Sequence, residues 1–178
     1  MEARDAKDEP ILLVGMMGCG KSTVGPALAR RLARDFVDVD DEIEARAGRT
    51  LPEIFETDGE AAFRTLERDT LAAVLTQDPV VALGGGAIAQ PGAPEWLAKL
   101  GTVVYLRASL DSLMRRVGHA DGRPLLAGLD EASRRERLEE ILRDRQAAYE
   151  SARLVVDTDE QSVEQIVLTI AEDLGIEP

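Results

Sequence analysis

The sequence is poor in the side chains that build disulfides and zinc sites. Its 178 residues include one cysteine, Cys19, and one histidine, His119. A single cysteine cannot form a disulfide within the chain, and no Cys/His cluster has the spacing of zinc ligands. These absences argue against a disulfide framework, a structural zinc site and catalysis by histidine.

Long apolar runs are missing as well. No stretch approaches the roughly 20 consecutive apolar residues that cross a bilayer. The first ten residues are mostly charged and have no apolar core of the kind found in secretory leaders. We therefore expect a cytoplasmic protein with no membrane association, in which residues 1–9 form a disordered tail.

Positive charge is also scarce. The formal net charge is −13, and the chain has only three lysines: Lys7, Lys21 and Lys99. This balance argues against nonspecific nucleic-acid binding, which depends on clustered cations. Arginine carries most of the positive charge, and its planar guanidinium suits carboxylates and phosphates. Arginines at predicted loop or cleft positions are therefore candidate ligand-binding residues.

Short apolar runs alternate with longer segments of helical periodicity. This alternation predicts an α/β fold with a mainly parallel sheet, and the length suits one domain over residues 1–178. The predicted strands cover residues 11–14, 36–40, 80–83, 102–106 and 154–156. Helices are predicted after the first and fourth strands and over residues 41–77, 94–100, 131–150 and 162–174, with breaks near Gly48 and Gly59. Residues 118–130 are interrupted by glycine and proline, which predicts a loop or lid.

The first strand is followed at once by the segment GMMGCGKS at residues 15–22. This is the P-loop pattern in the strand-to-helix context that it requires. Its glycines let backbone N–H groups converge on phosphate oxygens, and the helix N-terminus favours negative charge. Lys21 would contact the β- and γ-phosphates and Ser22 would bind Mg²⁺, so the pattern predicts ATP and magnesium as ligands. The alternative is a glycine-rich turn followed by a chance Lys-Ser pair.

P-loop enzymes usually add an acidic residue at a strand end to hold the metal. The third predicted strand ends in glycine, which leaves Asp38 and Asp40 at the second strand and Asp157 at the fifth. In an extended strand, Asp38 and Asp40 would project to the same face, one toward the metal and the other toward an acceptor. The alternative is that Asp40, Asp41 and Glu42 form the acidic first turn of a helix.

These features together resemble the shikimate kinase family over about residues 10–175. The resemblance rests on five segments in order: the P-loop, DVD at 38–40, FETDGE at 55–60 followed by Phe63 and Arg64, GGGA at 84–87, and RPLL at 123–126. It implies a three-layer P-loop kinase fold, with a five-stranded parallel sheet in the order 2-3-1-4-5, helices on both faces and a mobile lid at 118–130. It also implies transfer of the ATP γ-phosphate to the 3-hydroxyl of shikimate.

The resemblance also implies roles for individual residues. The implied catalytic residues are Lys21, Asp40 and Arg123. Shikimate would be bound by Asp40, Arg64, Gly85, Gly86 and Arg145, and Mg²⁺ by Ser22 directly and by Asp38 through water. The nucleotide would contact Gly18, Cys19, Gly20, Lys21, Ser22, Thr23, Arg116, Arg123, Asp159 and Gln161. A hydroxylated carboxylate needs a bidentate cation and a hydroxyl acceptor, which the two arginines and Asp40 would supply.

Several points stay open at this stage. Asp121 beside Arg123 departs from the family pattern and leaves the lid geometry in doubt. For Arg64, the alternative is an exposed partner of Glu60 or Glu67. The rival functions are another P-loop kinase, for gluconate or a nucleoside monophosphate, and a regulatory module that has lost catalysis. The expected partners are ATP and shikimate, and the expected oligomeric state is a monomer.

Overall fold

The computed structural model describes residues 9–76, 78–118, 124–126 and 128–176. The strands are β1 (Ile11–Val14), β2 (Phe36–Asp38), β3 (Val80–Ala82), β4 (Thr102–Arg107) and β5 (Leu154–Asp157). The helices are α1 (Lys21–Arg31), α2 (Val39–Ala47), α3 (Leu51–Val74), α4 (Ala93–Leu100), α5 (Leu110–Val117), α6 (Glu131–Glu150) and α7 (Val163–Asp173). A 3₁₀ turn, Pro124–Leu126, lies between α5 and α6.

All five strands pair in parallel, in the order β2-β3-β1-β4-β5. The predicted α/β fold and strand order are therefore confirmed. The carboxyl ends of parallel strands meet at one edge of the sheet, and ligands bind in the crevice where the strand order reverses. Here that crevice lies between β1 and β3. The predicted lid includes residues 119–123 and 127, which lie outside the described residues, so its mobility stays a prediction.

The central strand β1 forms the middle of the apolar core. Its four residues, ILLV, are at most 1% exposed, as expected for a strand covered on both faces. Val24 and Leu28 of α1 are buried as the helical periodicity predicts. Among the described residues, no helix is both long enough and apolar enough to cross a membrane.

The predicted breaks within residues 41–77 are present. Gly48 ends α2 with φ of +62°, and Thr50 begins α3 with a capping box to Glu53. Gly59 has φ of +80° and interrupts the helical geometry inside α3. Glycine adopts this backbone conformation without the steric penalty that a side chain brings.

The second strand ends earlier than the sequence pattern suggests. The strand β2 stops at Asp38, whose side chain accepts a hydrogen bond of 3.1 Å from the backbone N–H of Asp40. Asp38 thereby caps α2, and Asp40 lies in the first helical turn with Asp41 and Glu42. The expectation that Asp38 and Asp40 project from one face of a strand is therefore wrong, because a helix cap competes with strand extension at this position.

Candidate active site

The P-loop is a tight turn between β1 and α1. Gly15, Gly18 and Gly20 have φ values of +146°, +83° and +110°, a region that residues with side chains rarely adopt. Gly15 is also required for space, since a Cβ there would lie 2.6 Å from the carbonyl oxygen of Leu106. No side chain caps the N-terminus of α1 at Gly20. The first N–H groups of this helix can therefore bind an anion.

Lys21 folds back over this loop. Its Nζ donates hydrogen bonds to the carbonyl oxygens of Gly15 at 2.8 Å and Met16 at 3.3 Å, and it lies 3.8 Å from the Sγ of Cys19. The Cys19 side chain is only 1% exposed. These bonds hold the ammonium group at the loop.

The loop forms one wall of a cavity of about 650 Å³. This cavity brings together most of the residues that the sequence predicts for nucleotide, metal and acceptor. The predicted residues that line it are Gly18, Cys19, Gly20, Lys21, Ser22, Thr23, Asp38, Asp40, Gly85, Arg116 and Gln161. Four other predicted site residues that the structure describes are absent from this lining: Arg64, Gly86, Arg145 and Asp159.

Arg116 is fixed at the far end of this cavity. Its two terminal nitrogens donate to the hydroxyl of Thr158 at 2.8 Å and to the carbonyl oxygen of Thr158 at 2.7 Å. A third, longer bond of 3.4 Å reaches the carbonyl oxygen of Cys19 in the P-loop. The guanidinium plane is therefore held between the P-loop and the residue that follows β5.

Asp159 lies outside this cavity and supports the residues beside it. Its carboxylate accepts a 3.0 Å hydrogen bond from the backbone N–H of Ser109, the N-cap of α5, and its other oxygen lies 4.0 Å from Arg116. These bonds, above all to Ser109, lower the pKa of Asp159 against the opposing effect of burial.

The cavity residues that sequence reasoning missed include Thr158, which follows β5, and the apolar pair Val163 and Ile166. A threonine after a short strand carries no distinctive signal. The two apolar residues sit on the apolar face of α7, where a core role and a ligand-facing role look the same in sequence.

Ser22 and Asp38 form the candidate metal site. The Ser22 hydroxyl donates a 3.1 Å hydrogen bond to the Asp38 carboxylate. No group of three or more His, Cys, Asp or Glu residues suited to a metal occurs within the described part of the chain. Mg²⁺ does not need such a group, since it is usually held by one or two protein oxygens, phosphates and water. The hydroxyl and carboxylate therefore fit a magnesium ion.

Asp40 is a half-buried carboxylate in the same cavity. Burial, together with the charges of Asp38 and Glu67, raises the pKa of Asp40 to about 6, while Lys21 acts in the opposite direction. A carboxylate with a pKa in this range is ionised at neutral pH and can still accept a proton there.

Glu67 is an acid that sequence reasoning considered only as a surface partner. It is 5% exposed, and burial raises its pKa against the opposing charges of Arg64 and Arg145. A Cβ on Gly84 would lie 2.9 Å from a Glu67 oxygen and 3.0 Å from an Asp40 oxygen. Gly84 therefore leaves room for two carboxylates to approach the end of β3.

Arg64 and Arg145 converge on the next glycines. A Cβ on Gly86 would lie 2.8 Å from a terminal nitrogen of Arg64 and 3.5 Å from one of Arg145. Arg64 also donates to Glu67 at 2.9 Å and to Glu60 at 3.3 Å. The ion pairs of Arg64 with Glu60 and Glu67, which the sequence offered as the alternative, are therefore present. They orient Arg64 beside Arg145. Two guanidinium groups meeting at one point form a site for a carboxylate.

Tyr149 supports this glycine segment and was not identified from sequence. Its hydroxyl donates a 2.5 Å hydrogen bond to the carbonyl oxygen of Gly85, and its ring stacks on Tyr105 with the centroids 4.9 Å apart. Burial raises the pKa of Tyr149 to about 12, so the phenol remains a hydrogen-bond donor. An apolar periodic position on α6 gives no sign of this contact.

Arg123, His119 and Asp121 lie outside the described residues. The role of Arg123 at the phosphates stays a prediction.

The fold and the site together define the class of protein to which this chain belongs. A P-loop at the central strand, a hydroxyl and carboxylate suited to magnesium, and an arginine pair across one cleft are the parts of a P-loop kinase for a small acceptor. The shikimate kinase family model matches residues 17–175. The chain belongs to the shikimate kinase family, as its motifs predict, and is an ATP-dependent kinase.

Individual relatives agree with this assignment. A shikimate kinase of Thermobifida fusca is 47% identical over 165 residues, which cover 92% of this chain and 93% of that protein. The solved structure of shikimate kinase from Acinetobacter baumannii in complex with shikimate has a TM-score of 0.86 and 37% identity, with 94% of each chain covered. The shikimate kinase structure from Bacteroides thetaiotaomicron has a TM-score of 0.87 and 34% identity, covering 94% of this chain and 98% of that one.

Proposed function

We propose that the protein transfers the γ-phosphoryl group of ATP to the 3-hydroxyl of shikimate, a step in chorismate and aromatic amino acid biosynthesis. The observation that carries this proposal is the convergence of Arg64 and Arg145 at Gly86. Gly85, next to this point, lines the same cavity as Asp40 and the P-loop. One cleft thus offers a binding site for a carboxylate, a group that accepts a hydrogen bond from a hydroxyl, and a binding site for a triphosphate.

On the donor side, backbone N–H groups of residues 18–23 and the Lys21 ammonium bind the phosphates. The Ser22 hydroxyl would hold Mg²⁺ directly and the Asp38 carboxylate would hold it through water, and the ion would supply positive charge to the transferring phosphoryl group. Arg123 approaches the phosphates when the lid closes. Arg116, fixed by Thr158, lies against the adenine, with Gln161 on the opposite side.

On the acceptor side, Arg64 and Arg145 bind the carboxylate through paired hydrogen bonds. Asp40 accepts a hydrogen bond from the reacting hydroxyl. As the new bond from this oxygen to phosphorus forms and the bond from the γ-phosphorus to the bridging oxygen breaks, ADP leaves and the hydroxyl proton passes to Asp40. A pKa of about 6 suits this transfer near neutral pH.

The rival acceptors are gluconate and nucleoside monophosphates. A nucleoside monophosphate would need a second base-binding surface, whereas the cleft offers two guanidinium groups and a carboxylate. Gluconate shares the carboxylate and hydroxyl groups of shikimate, so this rival requires a direct test.

The test is an ADP-release assay with shikimate, quinate, gluconate and AMP as separate acceptors, with and without Mg²⁺. We expect turnover with shikimate that depends on Mg²⁺, and NMR of the product should place the phosphate on the 3-hydroxyl. Turnover with another acceptor but not with shikimate would overturn the proposal. A cytoplasmic location, a monomeric state and the lack of a nucleic-acid partner stay predictions.

A further inference from the structure

A second cavity, of about 280 Å³, lies between α3, α4 and the segment that follows β3. It shares only Leu83 with the lining of the larger cavity. Its polar lining residues include Arg64, Glu67, Arg68 and Gln90, and its apolar lining residues include Leu71, Leu83, Ala93 and Trp96. Of its lining residues, only Arg64 takes part in the phosphoryl transfer described above.

Positive charge predominates in the lining. Arg64 and Arg68 lie one helical turn apart. Arg64 is paired with Glu67 in the lining and, at 3.3 Å, with Glu60 outside it, so the charge left uncompensated is that of Arg68. Arg68 lies over the Trp96 ring, 5.5 Å from the centroid, and forms no ion pair within the described residues. The Nε–H of Arg64 is buried without a hydrogen-bond partner. In a chain with a net charge of −13, the buried Nε–H of Arg64 and the exposed guanidinium of Arg68 beside it indicate a site for an anion.

The remaining walls limit the shape of that anion. The indole of Trp96 and the side chains of Leu71, Leu83 and Ala93 supply an apolar surface. Ligand sites typically combine such a surface with a few convergent polar groups. The space suits a single ring, and an anion without an apolar part would leave the tryptophan wall unused.

We propose that this cavity binds a small monocarboxylate with one flat ring. The carboxylate accepts hydrogen bonds from Arg64 and Arg68, and the ring packs on Trp96. Arg64 also belongs to the site for the shikimate carboxylate at Gly86, so the two ligands compete for one guanidinium. Occupation of the cavity therefore weakens acceptor binding. Only this last step rests on the proposed function.

The binding test uses the single tryptophan of the chain, Trp96, as the reporter. Benzoate is titrated into the protein without shikimate, and benzamide serves as an uncharged probe of the same shape. We expect a saturable change in tryptophan fluorescence with benzoate and none with benzamide. Arg68→Gln should weaken benzoate binding at least about tenfold, as expected for loss of a charged hydrogen bond. Lys99→Gln, which removes an exposed cation from the same helix as Trp96, should bind benzoate as the unmodified chain does.

The kinetic test asks where benzoate acts. Benzoate should raise the KM for shikimate in the unmodified chain and much less in Arg68→Gln. Full inhibition of Arg68→Gln would mean that benzoate binds at the acceptor site itself, and it would overturn the proposal. A flat fluorescence titration, or equal binding of benzamide, would overturn it too. Lack of shikimate turnover would instead count against the proposed function, because the fluorescence titration does not depend on it.

Discussion

The Ser22 hydroxyl and the Asp38 carboxylate lie 3.1 Å apart and join the start of α1 to the end of β2. Asp38 also accepts the hydrogen bond that begins α2. One carboxylate thus has two tasks: it caps a helix and faces the residue that would hold Mg²⁺. This double use fixes the carboxylate in place before any ligand binds, which reduces the reorganisation that metal binding requires.

Replacing Asp38 with Asn should therefore separate the two tasks. Asparagine is as good a helix cap as aspartate, so the melting temperature should change little. The loss of charge should raise the Mg²⁺ concentration for half-maximal activity by about 10- to 100-fold, the usual cost of removing a partner that acts through metal-bound water. Asp41→Asn, at an exposed position of the same helix, should not alter the Mg²⁺ dependence. An equal increase in the required Mg²⁺ concentration in both variants would show that Asp38 is not part of the metal site.

A second prediction concerns the site for the acceptor carboxylate. Arg145→Lys keeps the charge but loses the paired hydrogen bonds of the guanidinium. A charged hydrogen bond contributes about 1.5–3 kcal/mol, so the KM for shikimate should rise at least about tenfold, while the KM for ATP stays the same. Arg143→Lys, at an exposed position of α6, is the matched control. Steady-state kinetics check both variants, and an unchanged KM for shikimate in Arg145→Lys would contradict the assignment.

The raised pKa of Asp40 predicts how stability depends on pH. The folded-state pKa of about 6 lies above the ordinary aspartate pKa of 3.8, so the folded protein holds more protons between these pH values than the unfolded chain. Stability contributed by protonated Asp40 is therefore present at low pH and lost as the pH rises through about 6. Asp40→Asn cannot ionise and should melt higher than the unmodified chain at pH 7, by about 2–4 °C for each kcal/mol relieved.

This comparison is made by thermal melts from pH 4 to pH 8 in EDTA, so that no metal contributes. The advantage of Asp40→Asn should shrink toward pH 4, and the same variant should have a much lower kcat. Asp69→Asn, at an exposed position of α3, controls for general loss of negative charge. If Asp40→Asn melts lower than the unmodified chain at pH 7, the charge of Asp40 does not destabilise the fold.

The fourth prediction concerns Thr158, which is 1% exposed and binds Arg116 through both its hydroxyl and its carbonyl oxygen. Thr158→Val removes the hydroxyl with little change in shape and should raise the KM for ATP several-fold, because Arg116 loses one of its fixed partners. Thr158→Ser keeps the hydroxyl and should restore a nearly normal KM. The KM for shikimate should stay constant in both. A parallel rise in the two KM values would mean that Thr158 supports the fold and not the position of Arg116.

The sequence predicted the parallel α/β fold and the location of the nucleotide site because both depend on local signals, whereas the strand order followed only from the family resemblance. A P-loop is defined by residue spacing between a strand and a helix, and the structure places residues 18–23 around one cavity. The course of β2 was harder to predict. Two aspartates two residues apart fit either a strand or a helix cap. The helix cap forms here, because the backbone N–H of Asp40 donates a hydrogen bond to the Asp38 carboxylate.

The supporting residues were hidden from sequence reasoning for a different reason. Glu67, Tyr149 and Thr158 lie far along the chain from the groups that they contact, and no spacing rule links them to Gly84, Gly85 and Arg116. In the sequence, Glu67 three residues after Arg64 is typical of an ion pair on a helix surface. Only the tertiary structure shows that Glu67 is buried beside Gly84, after the end of β3.

By itself, the sequence determined that this chain forms a parallel α/β fold with a phosphate loop, because hydrophobic periodicity and glycine spacing are properties of neighbouring residues. The tertiary structure alone decided which charged side chains meet. Arg64 and Arg145 come from different helices, and they converge at Gly86 only because the fold packs both helices against the end of β3. Electrostatic and steric complementarity depends on distances through space, which spacing along the chain does not encode.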